Sequence, residues 1–157
     1  MKILVVYFSL DGSTKAIAES ISAETGADLL QLKPIKQLSG SGFMKHFWGG
    51  RQVVLKERPE LEPLAKKAAD YDLVVIGTPV WAFNFAPPLR TFFAEKPVQN
   101  KKIALYCCCD GMAGKTLENM RMELAGNEIM GELTLTKTAK NLAVNQQIAL
   151  EWIKKFV

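Results

Sequence analysis

A chain of 157 residues with 48% hydrophobic and 23% charged content is sized for a single domain, residues 1–157, with a real core. Its formal net charge of +4 comes with lysines in scattered pairs, Lys66-Lys67, Lys101-Lys102 and Lys154-Lys155, which is the pattern of solvated faces and argues against a nucleic-acid partner. No segment has the length of a membrane span, and the short N-terminal apolar run lacks a small-residue cleavage site, so neither membrane partner nor signal peptide is expected.

Apolar runs of strand length alternate with amphipathic stretches along the whole chain. Lys2–Phe8 is apolar without alternation, the mark of a strand covered on both faces. Ser13–Gly26 reads as a helix, with Gly26 as its C-terminal stop. Ala27–Pro34 reads as a second strand and Leu61–Tyr71 as a second helix. Between them Phe43–Arg58 resists assignment: it is a glycine-rich insert carrying Phe43, Lys45, Phe47, Trp48 and Arg51, readable as a buried aromatic plug or as a lid. Asp72–Pro79 is a third, fully apolar strand, followed by a helix over Ala86–Glu95 that opens on proline. Lys101–Cys109 is the fourth strand, Gly114–Ala125 a helix, Gly131–Lys137 an alternating edge strand, and Asn145–Phe156 the closing helix. Strict alternation of this kind implies parallel strands joined by right-handed crossovers, hence an α/β fold: a three-layer α/β/α sandwich on a five-stranded parallel sheet.

Sheets of this type bind ligands beyond the C-terminal ends of their strands. Three such ends are unusual here: Ser9–Thr14, Thr78–Asn84 and Cys109–Gly114. In Ser9-Leu10-Asp11-Gly12-Ser13-Thr14, hydroxyls, a glycine and a helix start coincide. Free N–H groups and the positive end of the helix suit an anion, and a simple helix cap by Ser13 is the competing reading. Gly40–Lys45 lacks the third glycine of a dinucleotide fingerprint, and the Gly114-Lys115-Thr116 triplet lacks the first glycine of a P-loop. The three cysteines, Cys107, Cys108 and Cys109, are consecutive and alternate in direction along a strand, so they form no disulfide framework; a reducing, cytoplasmic compartment fits them. With one histidine, His46, and no Cys/His cluster, no metal site is expected.

The stretch Val5-Val6-Tyr7-x-Ser9-x-x-Gly12-x-Thr14-x-x-x-Ala18-x-x-Ile21 resembles the flavodoxin signature at every specified position, and Gly77–Phe93 resembles the loop and helix after the third strand of short flavodoxin-like proteins. The likeness runs from Lys2 to about Phe156 and is weakest over Phe43–Arg58. It implies the strand order 2-1-3-4-5 and a bound FMN. Its phosphate would lie on Ser9, Asp11, Gly12, Ser13 and Thr14. Thr78, Pro79, Val80, Trp81, Phe83 and Asn84 would flank the ring on one side and Cys109, Asp110 and Gly111 on the other, with Trp81 stacking. Two departures stand out. Asp11 replaces an uncharged residue of the turn and is expected to hydrogen-bond its own turn rather than face a phosphate; Ala82 replaces the glycine that often follows the tryptophan.

The resemblance implies a redox protein, a monomer or homodimer, carrying electrons between partner proteins. The alternative is an NAD(P)H-dependent FMN reductase of quinones or other small acceptors, and a flavin-free interaction domain is the third reading. No residue is assigned a catalytic role. Cys109 reads as an inert buried thiol, since no cationic neighbour in sequence lowers its pKa.

Overall fold

Five strands lie parallel in the order β2-β1-β3-β5-β6, where β1 is Ile3–Tyr7, β2 Asp28–Gln31, β3 Leu73–Trp81, β5 Lys102–Cys109 and β6 Glu128–Thr136. The structure, a computed structural model, describes residues 1–36 and 56–157. The expected five-stranded parallel sheet and its order are both present, with β5 and β6 as fourth and fifth parallel strands. One further strand was not anticipated. Asn84–Phe85, β4, folds back antiparallel on the end of β3, pairing Trp81 with Asn84 and Val80 with Phe85.

Helices cover both faces, which is why β1 is apolar but for the Tyr7 hydroxyl: every one of its side chains is buried. Ile3, Val5 and Tyr7 face α1 (Ser13–Thr25) and α4 (Leu142–Ile153), packing with Ile17, Ala18 and Ile21 of the first and Ala149, Trp152 and Ile153 of the second. The alternate residues Leu4 and Val6 face α2 (Pro87–Ala94) and α3 (Thr116–Glu123), where Leu89, Phe92, Phe93 and Met120 close the other core. Each fully buried aliphatic side chain of this kind contributes about 1.5–3 kcal/mol, so the two apolar faces of β1 hold the three layers together.

The predicted helix over Leu61–Tyr71 is absent. Only a single 3-10 turn forms, at Ala68–Asp70. Prolines at 59 and 63 drive the residues before them away from helical angles. The backbone instead pairs with the chain after β2: Ile35 N–H donates to Glu60 O at 2.9 Å, Glu62 N–H donates to Lys33 O at 2.8 Å, and Pro34 bridges Leu61. Of the insert Phe43–Arg58, the stretch 43–55, with Phe43, Lys45, His46, Phe47, Trp48 and Arg51, lies outside the described residues. Among the described residues no helix is long and apolar enough to cross a membrane, and no three His, Cys, Asp or Glu side chains gather as a metal site.

Candidate functional site

The C-terminal ends of β1, β3 and β5 meet at one rim, and the chain after each contributes to a shared cleft. After β1 the backbone turns through Gly12, whose φ of 102° only glycine adopts without strain, and enters α1 at Ser13. A Cβ built on Gly12 meets nothing within 4 Å, so glycine here serves the turn and leaves the space above it open. Two N–H groups of the turn are held by its own side chains: Gly12 N–H donates to Ser9 Oγ at 3.2 Å, and Ser13 N–H donates to Asp11 Oδ1 at 2.9 Å. Asp11 therefore does bond its own turn, as expected. Ser13 caps nothing: it is the first helical residue, the cap position is Gly12, and no side chain caps the helix. Ser13 Oγ makes no hydrogen bond among the described residues, which leaves it available as a donor.

The turn is anchored from beneath. Tyr106 of β5 is fully buried, and its hydroxyl donates to Thr14 O at 3.1 Å. Its phenol leans across β3 where Gly77 stands opposite it; a Cβ at Gly77 would lie 2.0 Å from Tyr106 Cζ. Burial pushes the Tyr106 pKa well above its ordinary value, so the phenol keeps the proton it donates. Thr14 itself is buried, with its hydroxyl beside Cys108.

The other wall is made by two loops fastened to each other. Trp81 and Asn84 bracket a two-residue reversal at Ala82 and Phe83, with φ of 48° and 60°. Both values are those a mirror-image hairpin turn demands, and the usual Asn-Gly signal is missing, which is why β4 escaped the sequence reading. Phe83 O accepts from Lys115 N–H at 3.2 Å, and Asn84 Oδ1 accepts from Asn119 Nδ2 at 3.0 Å and from Phe85 N–H at 2.8 Å. Gly114, at φ 57°, lets the backbones close; its Cβ would sit 2.5 Å from Phe83 Cβ. Thr78 is fully buried and braces the exit from β3, accepting from Ala86 N–H at 3.0 Å and donating to Pro79 O at 2.8 Å.

Of the residues singled out from the sequence, Asp11, Ser13, Thr14, Pro79, Val80, Trp81, Cys109 and Asp110 line the cleft. Ser9, Gly12, Asn84 and Gly111 stand in the same loops without lining it; Thr78 is spent on bracing, and Phe83 projects to solvent with 63% of its surface exposed. Trp81 is only 7% exposed, its indole edge-to-face with Phe8 at 5.4 Å between ring centres. It closes the inner wall of the cleft rather than standing free within it. Leu10, Cys108, Thr138 and Ala139 line the cleft as well and were missed. Thr138 and Ala139 follow β6, whose end adjoins that of β5, so the strand order itself was the available signal.

The cleft has a volume of about 60 Å³. A larger cavity of about 640 Å³ runs along α2 and the 3-10 turn, lined by Leu61, Leu64, Ala68 and Phe92, and shares no residue with the rim. The loops that sequence chemistry points to are elsewhere. Thiols in the cleft are held protonated: burial pushes Cys108 up to about 12, with the Thr14 and Thr138 hydroxyls opposing it, and burial together with the nearby Asp110 charge raises Cys109. Cys109 Sγ lies 3.4 Å from Gly111 O. Neither is a poised nucleophile.

The sequence profile of the family described as Flavodoxin matches residues 2–155. The chain belongs to the flavodoxin family. Solved structures of similar fold include a flavoprotein in complex with FMN from Lactobacillus acidophilus NCFM, at 23% identity and TM-score 0.72, covering 88% of this chain and 95% of that one. Two-electron reduced Megasphaera elsdenii flavodoxin is similar at 15% identity and TM-score 0.61, covering 95% and 96%. Azoreductase AzrA matches with the same identity and TM-score over 99% of this chain and 100% of its own. At these identities the structural likeness speaks for the fold.

Proposed function

We propose that this flavodoxin-family protein binds FMN at the rim and serves as an electron carrier between partner proteins. The residues present offer the cofactor partners at both ends. Ser13 Oγ, the Thr14 side, and the outward backbone of the Ser9–Thr14 turn at the N-terminus of α1 suit its phosphate. Pro79, Val80 and Trp81 on one side and Cys109 and Asp110 on the other suit its ring. FMN, when bound, supplies the redox chemistry; the chain binds it, orients it and sets the charge around it.

The observation that carries the carrier reading is the exposure of two apolar side chains on the rim loops, Phe83 at 63% and Met112 at 75%, which suit contact with a docked protein. Electron transfer to such a partner needs a ring edge at that surface and little else. Asp110 lies at the cleft, where its charge disfavours added negative charge on the ring; Asp110→Asn is expected to raise the flavin's potential.

Purified protein loaded with FMN is mixed anaerobically with NADPH or NADH, then with a flavoprotein reductase. The carrier reading predicts slow bleaching by the nucleotides and fast bleaching by the reductase. Fast bleaching by a nicotinamide nucleotide alone moves the assignment to a reductase of small acceptors.

A further inference from the structure

Asp11 is an acid in a place built for an anion. Its Oδ1 accepts from Ser13 N–H at 2.9 Å, which is one of the donors at the start of α1 that a phosphate would take. Among the described residues the carboxylate has no cationic partner within ion-pair distance. A second acid, Asp110, lines the same cleft, and no lysine or arginine among the described residues does. The nearest cation in sequence, Lys15, is turned along α1 to Glu19 at 3.7 Å. The cradle thus carries its own negative charge, already seated on the helix end, and no positive charge among the described residues compensates it.

We propose that Asp11 sets which flavin this site prefers: it penalises the phosphorylated tail, so that FMN is held loosely and exchanges, and the dephosphorylated flavin, riboflavin, competes with it. The inference rests on the flavin reading above. Its physical basis is the repulsion between the carboxylate and a phosphate near −2 in charge. For such charges a few ångströms apart in a water-exposed site, repulsion lowers affinity on the order of tenfold. The neutral flavin tail feels no such penalty. Because Asp11 is exposed, the repulsion is also screened by salt.

Asp11→Asn separates charge from structure. The asparagine Oδ1 still accepts from Ser13 N–H, so the turn keeps its bond and loses only its charge. Affinities for FMN and for riboflavin are read by quenching of flavin fluorescence, in wild type and variant, at low and high salt. The expected result is about tenfold tighter FMN binding by Asp11→Asn with riboflavin changed less than twofold. Added salt should tighten FMN binding in wild type more than in the variant. An unchanged FMN-to-riboflavin ratio, or salt that weakens FMN binding to wild type, overturns the role of Asp11 alone. Failure of both proteins to bind either flavin overturns the flavin reading and this inference with it.

Discussion

The two walls of the cleft are built on different physical plans. The turn Ser9–Thr14 is local: two of its N–H groups are held by Ser9 and Asp11 within the same six residues, and its helix follows at once. The opposite wall is made by loops distant in sequence, Pro79–Asn84 and Asp110–Thr116, fastened by Lys115 N–H on Phe83 O and Asn119 on Asn84. A locally closed turn survives changes elsewhere, whereas a wall made of two loops fails when either moves. The exception is a long-range tether beneath the turn, Tyr106 on Thr14.

Breaking that tether has the largest expected effect. In Gly77→Ala the new Cβ meets the Tyr106 ring at 2.0 Å. Neither strand can yield in the centre of the sheet, so about 3 kcal/mol of stability or more is lost, read by denaturant unfolding. Wild-type stability in this variant would mean that Tyr106 is free to swing away and does not hold the turn.

Gly114→Ala attacks the other wall. It combines a left-handed φ of 57° with a contact of 2.5 Å to Phe83 Cβ. A loss of about 2 kcal/mol is expected. Amide exchange should accelerate at Phe83–Asn84 and Lys115, with the Ser9–Thr14 turn unchanged; equal acceleration in both walls would erase the distinction between them.

A smaller change of opposite sign comes from Ala82→Gly. Alanine at φ 48° carries left-handed strain that glycine lacks. Replacement should stabilise the protein by roughly 0.5–1 kcal/mol, once the larger entropy of the unfolded glycine chain is subtracted. A destabilised variant would mean that the Ala82 methyl packs in a way that outweighs its backbone strain.

The mildest probe uses the thiols on either side of the cleft floor. Both pKa values are raised, so the reactive thiolates are scarce at neutral pH and grow as pH rises, for Cys108 only toward about 12. Alkylation followed by mass spectrometry at pH 7 and pH 9.5 should find both slow at the lower pH, with Cys109 gaining first. Rapid modification of Cys108 at pH 7 would show that the floor opens.

The same contrast explains what the residues disclosed unaided. The parallel sheet was legible because β1, β3 and β5 are apolar on both faces, and the turn was legible because its donors, its glycine and its helix start are consecutive. The hairpin at β4 was not, since Ala82-Phe83 adopts a turn that its side chains disfavour. Nor was the inward packing of Trp81, which depends on Phe8 far away in sequence. The missing helix over Leu61–Tyr71 shows amphipathic spacing overruled by prolines and by backbone pairing with Lys33 and Ile35. Those contacts are tertiary, and spacing along the chain does not encode them.

The central claim is that the rim, and not the larger cavity along α2, holds FMN. Amide chemical shifts recorded while FMN is added to isotope-labelled protein test it directly. The account predicts large shifts at Leu10–Thr14, Val80–Asn84 and Cys109–Met112, saturating together, with Leu64, Ala68 and Phe92 unmoved. Shifts centred on Leu64, Ala68 and Phe92, with a silent Ser9–Thr14 turn, would contradict it.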